Sequence, residues 1–444
     1  MDRNSIVVVS SDVVGPKMAG PAIRAVELTK ALHRALGDRN RVFLAAPNQG
    51  QVPGLEVRSF QNGTLGCLLS SAKVVIGQGL GVPLLPFLNP EHILVLDFYD
   101  PNPVELLAFH RDSPRSEARL SQEHLRHRLS VLARRGDHFL CATSRQRDFW
   151  VGLLAAEGRL SWEADRSHPN LDDLISMVPF GLPGDPPNSP EPTLKGVWPG
   201  IGPKDKVLLW GGGIWNWFDP LTVIRAVDLA AKQRDDLRLF FLGVAHPNPK
   251  IPAMRMSREA HDLAGRLGLL NKHVFFNHDW VDYDSRAGYL LESDLAVLAS
   301  GLDLETRLSF RTRLLDSLWA GIPMVLTRGD HFSELAEAQN LGRVVEPRDH
   351  RAMAEAILEL LDSPKEMARC QRNIRKTAAE MTWSRVARPL VEFCADPRRH
   401  PGADHSRLGP CLSAAGYYWR IFKLLLRYGG FWEHLARRIN SRGG

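Results

Sequence analysis

The sequence predicts an α/β protein built from two parallel sheets that are covered by helices on both faces. Short apolar runs of strand length alternate with longer runs whose apolar residues recur at helical spacing. This alternation is typical of strand–helix–strand units, in which the strands are parallel. The chain has 444 residues, 44% of them hydrophobic and 24% charged, which indicates a globular protein of two domains rather than one.

The first half opens with the apolar run Ile6–Val9, which predicts a buried strand. The loop from Gly15 to Gly20 contains neither GxGxxG nor GK[ST], so by itself it predicts only a turn. A helix is predicted over 22–36 from its apolar stripe, with Arg24 one turn into it. Further strands are predicted at 41–46, 74–77, 93–97 and 138–142.

Residues 182–206 hold seven prolines and four glycines, and such a stretch cannot continue a helix or a central strand. It therefore predicts an interdomain linker. The second half repeats the alternation, with a helix near 220–232 and strands at 206–210, 237–243, 274–277, 295–299 and 324–327. We divide the chain into an N-terminal domain over 1–184, a C-terminal domain over 185–395 and a basic amphipathic tail over 396–444.

The segment from Glu305 to Val325 has the layout of an anion site. A helix is predicted there, and it begins with Ser309, Phe310, Arg311 and Thr312. A helix N-terminus carries unpaired N–H groups and a partial positive charge. The guanidinium groups of Arg311 and Arg313 add cationic forks that suit phosphate oxygens. The alternative is that both arginines are solvated on the surface of an ordinary α/β helix.

The charge and cysteine content exclude several classes of protein. The net charge of +6, from 56 basic and 50 acidic residues, is too mild for a nucleic-acid-binding protein but suits an anionic substrate or membrane surface. The five cysteines show no metal-ligand spacing and indicate reduced thiols in the cytoplasm. We expect no metal, cofactor, signal peptide or transmembrane segment.

Five stretches together resemble the family-4 retaining glycosyltransferases: GPAIRAVELTKAL, LDFYDP, VLLWGGGIWNWFDPLTVIRAV, SDLAVLAS and RTRLLDSLWAGIPMV. The resemblance covers roughly residues 1–395. It implies the GT-B fold, with two facing Rossmann-like domains and an active site in the cleft between them. It also implies that a nucleotide-sugar donor binds mainly to the C-terminal domain and the acceptor mainly to the N-terminal one.

The anion-site layout and the resemblance together give our expected donor-binding residues, although this sequence departs from the family pattern. We expect the donor to bind to Gly212, Gly213, Trp215, Ser309, Phe310, Arg311, Thr312, Arg313 and Asp316. The family has an arginine and a lysine after the first strand of this domain, and here Asp219 stands near the lysine. The family also has two glutamates eight residues apart, where this chain has Leu308 and Asp316.

We expect Glu305 to supply the missing carboxylate to the donor sugar, and Arg311 and Arg313 to supply the missing cations. The alternative for Glu305 is a surface ion pair with Arg307. Trp215 and Trp217 form either an aromatic wall for the base or sugar, or simple packing under the linker.

On the acceptor side, Asp97 and Asp100 follow a predicted buried strand and are our candidates for catalytic carboxylates, together with Glu305. The alternative for Asp100 is that it caps the next helix. Gly15, Gly20 and Arg24 form a candidate acceptor or phosphate loop.

The tail places aromatic and basic side chains on one helix, namely Trp419, Phe422, Leu426, Arg420, Lys423 and Arg427. Such a helix suits a bilayer interface or a return contact with the N-terminal domain, and the sequence leaves both open.

We therefore expect a cytoplasmic glycosyltransferase that transfers a sugar from a nucleotide sugar to a saccharide or lipid-linked saccharide in surface polysaccharide biosynthesis. Peripheral membrane contact would come from the tail. An alternative is a catalytically silent GT-B protein that binds a glycan or a partner. A dehydrogenase with two Rossmann halves is disfavoured, because no GxGxxG is followed by an acidic residue about 20 positions on.

Overall fold

The computed structural model describes residues 5–16, 18–61, 63–78, 89, 91–111, 113–160, 162, 170–244, 254–279, 281–282, 285–405, 415–416, 418–419 and 422–423. Its chain divides into two compact units. Unit 1 comprises the described residues of Met1–Val14, Arg24–Val178 and Pro389–Gly444, and unit 2 those of Gly15–Ile23 and Pro179–Arg388. The domain boundaries drawn from the sequence stay predictions.

Unit 1 is built on a seven-stranded parallel sheet. Its strands are β1 (Ser5–Val9), β2 (Arg41–Ala46), β3 (Val57–Ser59), β4 (Ala72–Gly77), β5 (Ile93–Asp97), β6 (His138–Cys141) and β7 (Ile175–Met177). They lie in the order β3-β2-β1-β4-β5-β6-β7, and every neighbouring pair is parallel. All residues of β1 and β5 are buried, as expected for central strands covered on both faces.

The helices of the first half of the chain are α1 (Gly20–Leu36), α2 (Leu65–Leu69), α3 (Asn102–Phe109), α4 (Arg115–Arg135) and α5 (Ser144–Ala156). Helix α1 buries Val26, Leu28 and Leu32, which lie on the stripe that the sequence predicts. Helix α5 begins at an N-cap, where the Thr143 side chain accepts a hydrogen bond from the Gln146 N–H.

Unit 2 repeats the design with a six-stranded sheet. Its strands are β8 (Lys206–Trp210), β9 (Leu237–Phe241), β10 (Val274–Phe276), β11 (Leu295–Leu298), β12 (Met324–Thr327) and β13 (Gly342–Val345). They lie in the order β10-β9-β8-β11-β12-β13, again with parallel pairing throughout.

The helices of the second half are α6 (Pro220–Ala230), α7 (Arg255–Arg266), α8 (Arg286–Leu291), α9 (Leu304–Leu308), α10 (Thr312–Ala320), α11 (His331–Gln339), α12 (His350–Asp362), α13 (Pro364–Glu380), α14 (Trp383–Val386) and α15 (Arg388–Ala395). Gly321 terminates α10 in the left-handed conformation, with φ of 73°, which glycine adopts without steric strain.

The proline-rich stretch 182–206 contains no helix, as predicted, and it packs within unit 2. The Glu292 carboxylate accepts hydrogen bonds from three consecutive backbone N–H groups, those of Thr193 at 2.6 Å, Leu194 at 3.0 Å and Lys195 at 2.5 Å. These contacts tie the stretch to the end of helix α8.

The strand order reverses once in each sheet, between β1 and β4 in unit 1 and between β8 and β11 in unit 2. In open parallel sheets, ligands bind beyond the carboxyl ends of the strands at such a switch point. We therefore expect functional residues at these two places.

Candidate functional site

A glycine turn follows β8 at the switch point of unit 2. Gly212 has φ of 117°, a left-handed conformation that favours glycine. A Cβ atom at Gly212 would lie 3.7 Å from the guanidinium carbon of Arg313. The turn Gly211–Gly213 and the first turn of α10 therefore lie side by side.

Arg313 is a half-buried cation at this place. Its Nη1 donates a hydrogen bond to the Gly213 carbonyl at 2.7 Å, and its guanidinium lies 4.3 Å from the centre of the Phe218 ring. Among the described residues, no carboxylate pairs with Arg313. Burial and the nearby charge of Arg311 lower the pKa of Arg313 to about 9. An anion bound here would oppose both effects, because it would stabilise the charged guanidinium.

Arg311 has the opposite surroundings. It is buried, and its Nη1 and Nη2 atoms each donate to one oxygen of Glu305 at 2.8 Å. Its Nε lies 3.6 Å from the carboxylate of Asp330, the N-cap residue of α11. The interpretation of both arginines as solvated surface groups is therefore wrong, because Arg311 is buried and Arg313 is half-buried.

Glu305 is buried as well, with 4% of its surface exposed. The short helix α9, capped by Asp303 at the Thr306 N–H, turns this carboxylate inward onto Arg311. A surface ion pair as the role of Glu305 is therefore wrong. Both carboxylate oxygens are occupied by Arg311, and Ser309 donates a further hydrogen bond to one of them at 2.6 Å.

The remaining residues at the start of α10 divide into packed and accessible ones. Ser309 and Phe310 are buried, and the Phe310 ring packs against Phe332 at 5.0 Å between ring centres. Thr312 is the first residue of α10 and is half-buried. Leu308, where the family has a glutamate, is a core residue.

The sequence singles out two further carboxylates, those of Asp316 and Asp219. Asp316 pairs with Arg286 at 3.1 Å and keeps a third of its side chain exposed. Burial raises the pKa of Asp316, and Arg286 opposes that rise. Asp219 caps helix α6 by accepting hydrogen bonds from the N–H and hydroxyl of Thr222, so it is a structural residue and not a substitute for the lysine of the family.

Two tryptophans stand beside the glycine turn. The Trp215 and Trp217 rings are stacked, with 5.1 Å between centres and 6° between planes, and both are half-buried. A flat aromatic surface of this kind is suited to a nucleobase or to the apolar face of a sugar.

In unit 1, two of the other predicted residues, Asp97 and Arg24, meet at the end of β5. Arg24 Nε and Nη2 donate to the two oxygens of Asp97 at 2.6 and 3.0 Å, and Nη2 also donates to the Val178 carbonyl at 2.7 Å. Both partners of this ion pair are buried. Asp97 and Arg24 are therefore committed to each other.

Of the two predicted loop glycines, Gly15 lies in the loop before α1, whereas Gly20 is the first residue of α1. A Cβ atom added at either glycine would meet no described atom within 4 Å apart from its chain neighbours. Neither glycine is therefore required by close packing within the described part of the chain, and the acceptor or phosphate role of this loop stays a prediction.

Asp100 is only half-buried, and its carboxylate accepts a hydrogen bond from Gln78 Nε2 at 2.6 Å. Burial and the charge of Asp97 raise the pKa of Asp100 to about 7. Helix α3 has Pro101 at its N-cap position and no side-chain cap, so the capping role considered for Asp100 is wrong.

Sequence patterns did not predict roles for Gln78, Asp330, Arg286 and Phe218. Position was the only signal for Gln78, because it directly follows a central strand. The sequence contains no signal for the roles of Asp330 and Arg286, because these roles depend on tertiary contacts with distant segments.

No cluster of three or more histidine, cysteine, aspartate or glutamate side chains in the described ranges is arranged to hold a metal ion. Within the same ranges, every helix is too short or too polar to cross a bilayer.

Residues 200–377 match the model of the family described as Glycosyl transferases group 1. Sucrose-phosphate synthase 4 from Arabidopsis thaliana is 30% identical over 95 residues, which are 21% of this chain and 9% of that protein. The chain thus aligns with a small part of the length of that relative. The family match supports the glycosyltransferase superfamily for the segment that contains the glycine turn and Arg313.

Two solved structures of low sequence identity share the fold. HepE from Anabaena, solved with UDP and glucose, is 14% identical with a TM-score of 0.60, and the alignment covers 88% of this chain and 99% of that one. WaaG, a glycosyltransferase involved in lipopolysaccharide biosynthesis, is 15% identical with a TM-score of 0.58, covering 88% and 100%. The predicted α/β class and GT-B fold are confirmed.

Proposed function

We propose that this chain is a glycosyltransferase that uses a nucleotide-sugar donor and binds its diphosphate at the glycine turn of unit 2. The observation that carries the proposal is Arg313. It lies inside the segment that matches the glycosyltransferase family, beside the glycine turn, and no carboxylate in the described ranges forms an ion pair with it.

Glycosyl transfer requires that the leaving diphosphate be neutralised as the bond between sugar and oxygen breaks. Arg313 and the N-terminus of α10 supply positive charge for this purpose. Arg311, Glu305 and Asp330 hold the start of α10 in place. We assign Glu305 this positioning role instead of the expected contact with the sugar, because both of its oxygens bind Arg311.

Asp316 is our candidate for the nucleotide ribose, because a half-exposed carboxylate accepts hydrogen bonds from hydroxyl groups. The stacked Trp215 and Trp217 are our candidates for the base or sugar. We propose transfer with retention at the anomeric carbon and without an essential metal. Loss of activity in a chelator, restored by magnesium or manganese, would contradict the last point.

We propose a saccharide or lipid-linked saccharide acceptor and a role in surface polysaccharide biosynthesis at the cytoplasmic face of a membrane. The fold that this chain shares with WaaG is compatible with such a role, and HepE with bound UDP makes UDP the first nucleotide to test.

The test is thermal denaturation of the full chain with UDP, GDP, ADP and their glucose and mannose conjugates. A nucleotide at 100 times its dissociation constant should add about 2.7 kcal/mol to the free energy of unfolding. Arg313→Ala should remove this stabilisation, and Arg307→Ala, an exposed arginine on α9, is the matched control. Absence of stabilisation by every nucleotide would reject the proposal, whereas binding without turnover on any acceptor would favour the catalytically silent alternative.

A further inference from the structure

We propose that Gln78 and Asp100 form a hydroxyl-binding subsite of unit 1 that holds a saccharide. Gln78 directly follows β4, and Asp100 follows β5 by three residues. Both lie at the carboxyl edge of the sheet, next to the place where the strand order reverses. This is where open α/β sheets bind their ligands. The identification of this subsite as the acceptor site rests on the proposed function.

The two side chains leave hydrogen-bond acceptors unused. Gln78 donates to Oδ2 of Asp100, and its own Oε1 is buried without a partner in the described chain. The Asp100 carboxylate is half-buried and, when ionised, has lone pairs beyond the one that Gln78 uses. A buried polar atom without a partner costs free energy. The unsatisfied Gln78 Oε1 beside a carboxylate with remaining acceptor capacity therefore indicates a ligand that brings donors.

The chemistry of that ligand follows from the charges around the subsite. Phosphates and carboxylates bring only acceptors and negative charge, and Asp100 repels them. Arg24, the cation that acts on Asp100, already pairs with Asp97 through two hydrogen bonds. Sugar hydroxyl groups donate one hydrogen bond each without carrying charge, so vicinal hydroxyls match the pair of acceptors.

The surroundings of the subsite are fixed in advance. The Arg24–Asp97 pair is buried and also holds the Val178 carbonyl, and the Arg24 guanidinium lies 4.5 Å from the centre of the Tyr99 ring. These charge-assisted hydrogen bonds hold Asp97 in place, three residues before Asp100. Asp97, which the sequence offers as an equal candidate, acts here as a positioning residue for Asp100.

The experiment measures saturation-transfer difference NMR of methyl glycosides of glucose, galactose, mannose and rhamnose with the full chain. We expect the wild type to bind at least one of them, and Asp100→Asn and Gln78→Met to weaken that binding at least tenfold. Glu123→Gln, on the exposed face of α4, is the control and should bind like the wild type. Should Asp100→Asn fail to fold, Gln78→Met decides alone, because methionine matches glutamine in length and shape.

Wild-type protein that binds none of these glycosides, or folded variants that bind them like the wild type, would overturn the subsite. UDP-induced stabilisation, measured on the same samples, keeps this outcome separate from the proposed function. Both variants should retain it because Arg313 is unchanged. A chain that binds glycosides but no nucleotide would support the subsite and reject the proposed transferase.

Discussion

Arg311 and Arg313 stand two residues apart and differ in what neutralises their charge. Arg311 is buried against Glu305 and Asp330, whereas Arg313 meets only the Gly213 carbonyl and the Phe218 ring among its described contacts. The same residue type therefore serves stability in one case and is available for a ligand in the other.

This difference predicts opposite effects of two alanine substitutions. Arg313→Ala should weaken UDP binding by roughly 1.5–3 kcal/mol, the value of a charge-assisted contact, with little change in Tm. Arg311→Ala should destabilise the protein by about 3–5 kcal/mol, because it leaves a buried carboxylate uncompensated. Calorimetric titration with UDP and urea denaturation of both variants measure the two quantities. Equal losses of stability in the two variants would show that the arginines are equivalent.

The protonation of Asp100 predicts that glycoside affinity at the carboxyl edge of unit 1 depends on pH. Burial and the charge of Asp97 raise the pKa of Asp100 to about 7, while Arg24 and the hydrogen bond from Gln78 oppose the rise. Tyr99 also interacts electrostatically with Asp100. Above pH 7 the carboxylate accepts hydrogen bonds from hydroxyl groups, and below pH 7 it takes up a proton. Glycoside affinity should therefore fall as the pH drops from 8 to 6 in the wild type and stay flat in Asp100→Asn. A slope that persists in the variant would assign the titration to another group.

Residue types in the sequence identified Glu305, Arg311 and Arg313, but not how their charges are used. Arg311 is the arginine that is neutralised because Glu305 of the same segment turns onto it. Asp330 adds to this from a separate helix, and no local pattern encodes that contact. Gln78 escaped for a related reason. A single glutamine after an apolar run is unremarkable until its neighbour across the sheet is known.

At the level of elements, strands with a continuous apolar run were predictable, the edge strand β10 among them, and strands without such a run were not. The predicted strands at 41–46, 93–97, 206–210 and 324–327 coincide with β2, β5, β8 and β12. The strands β3, β7 and β13 were missed, and all three lie at the edges of their sheets. Every residue of β3 and β13 is half-buried, so these strands lack the continuous apolar run of a strand covered on both faces.

The C-terminal strap, residues 389–405, returns to unit 1 and attaches there through histidines. The buried Asp137 accepts a hydrogen bond from the His400 N–H at 3.1 Å and lies 3.0 Å from His405 Nε2. Arg159 reaches His400 Nδ1 at 3.2 Å. The strap is therefore attached through side chains whose charge changes with pH.

Burial lowers the pKa of His400 and of His405, and it lowers the pKa of His138, which stacks on Phe393 of the strap, to about 4. Arg159 and Arg135 lower the first two further, whereas Asp137 opposes the change at His405. The unfolded chain, with histidine near pKa 6.5, therefore binds more protons than the folded one below that pH.

Because of this difference, stability should be fully present above pH 6.5 and should decline toward pH 4, by up to about 1.4 kcal/mol per pH unit for each proton taken up. Urea denaturation at pH 7.5, 6.0 and 5.0 measures the slope. His400→Gln should lower it, and the exposed His33, changed to glutamine, should not. Stability that is constant over this range would contradict the assignment.

For the whole molecule, the positive charge is concentrated in the last 39 residues. Positions 406–444 contain seven basic residues and one acidic residue, a net of 7 − 1 = +6, which equals the net charge of the entire chain. Tyr418, Trp419 and Phe422 are exposed, and Lys423 lies over the Trp419 ring at 5.1 Å. Arg420, Leu426 and Arg427, which complete the predicted interfacial helix, lie outside the described residues.

This separation of charge predicts how the chain responds to loss of the tail. In the membrane interpretation, apolar burial of the aromatic residues supplies most of the binding, and each cation adds about 1 kcal/mol at an anionic surface. Removal of residues 411–444 should then abolish sedimentation with vesicles rich in phosphatidylglycerol and leave Tm unchanged. Neutral phosphatidylcholine vesicles are the control for charge, and Trp419→Ala with Phe422→Ala in the full chain tests the apolar part separately. If the tail instead docks on unit 1, truncation should expose an apolar surface, lower Tm by several degrees and leave vesicle binding as it was. That pattern would reject membrane association of the tail.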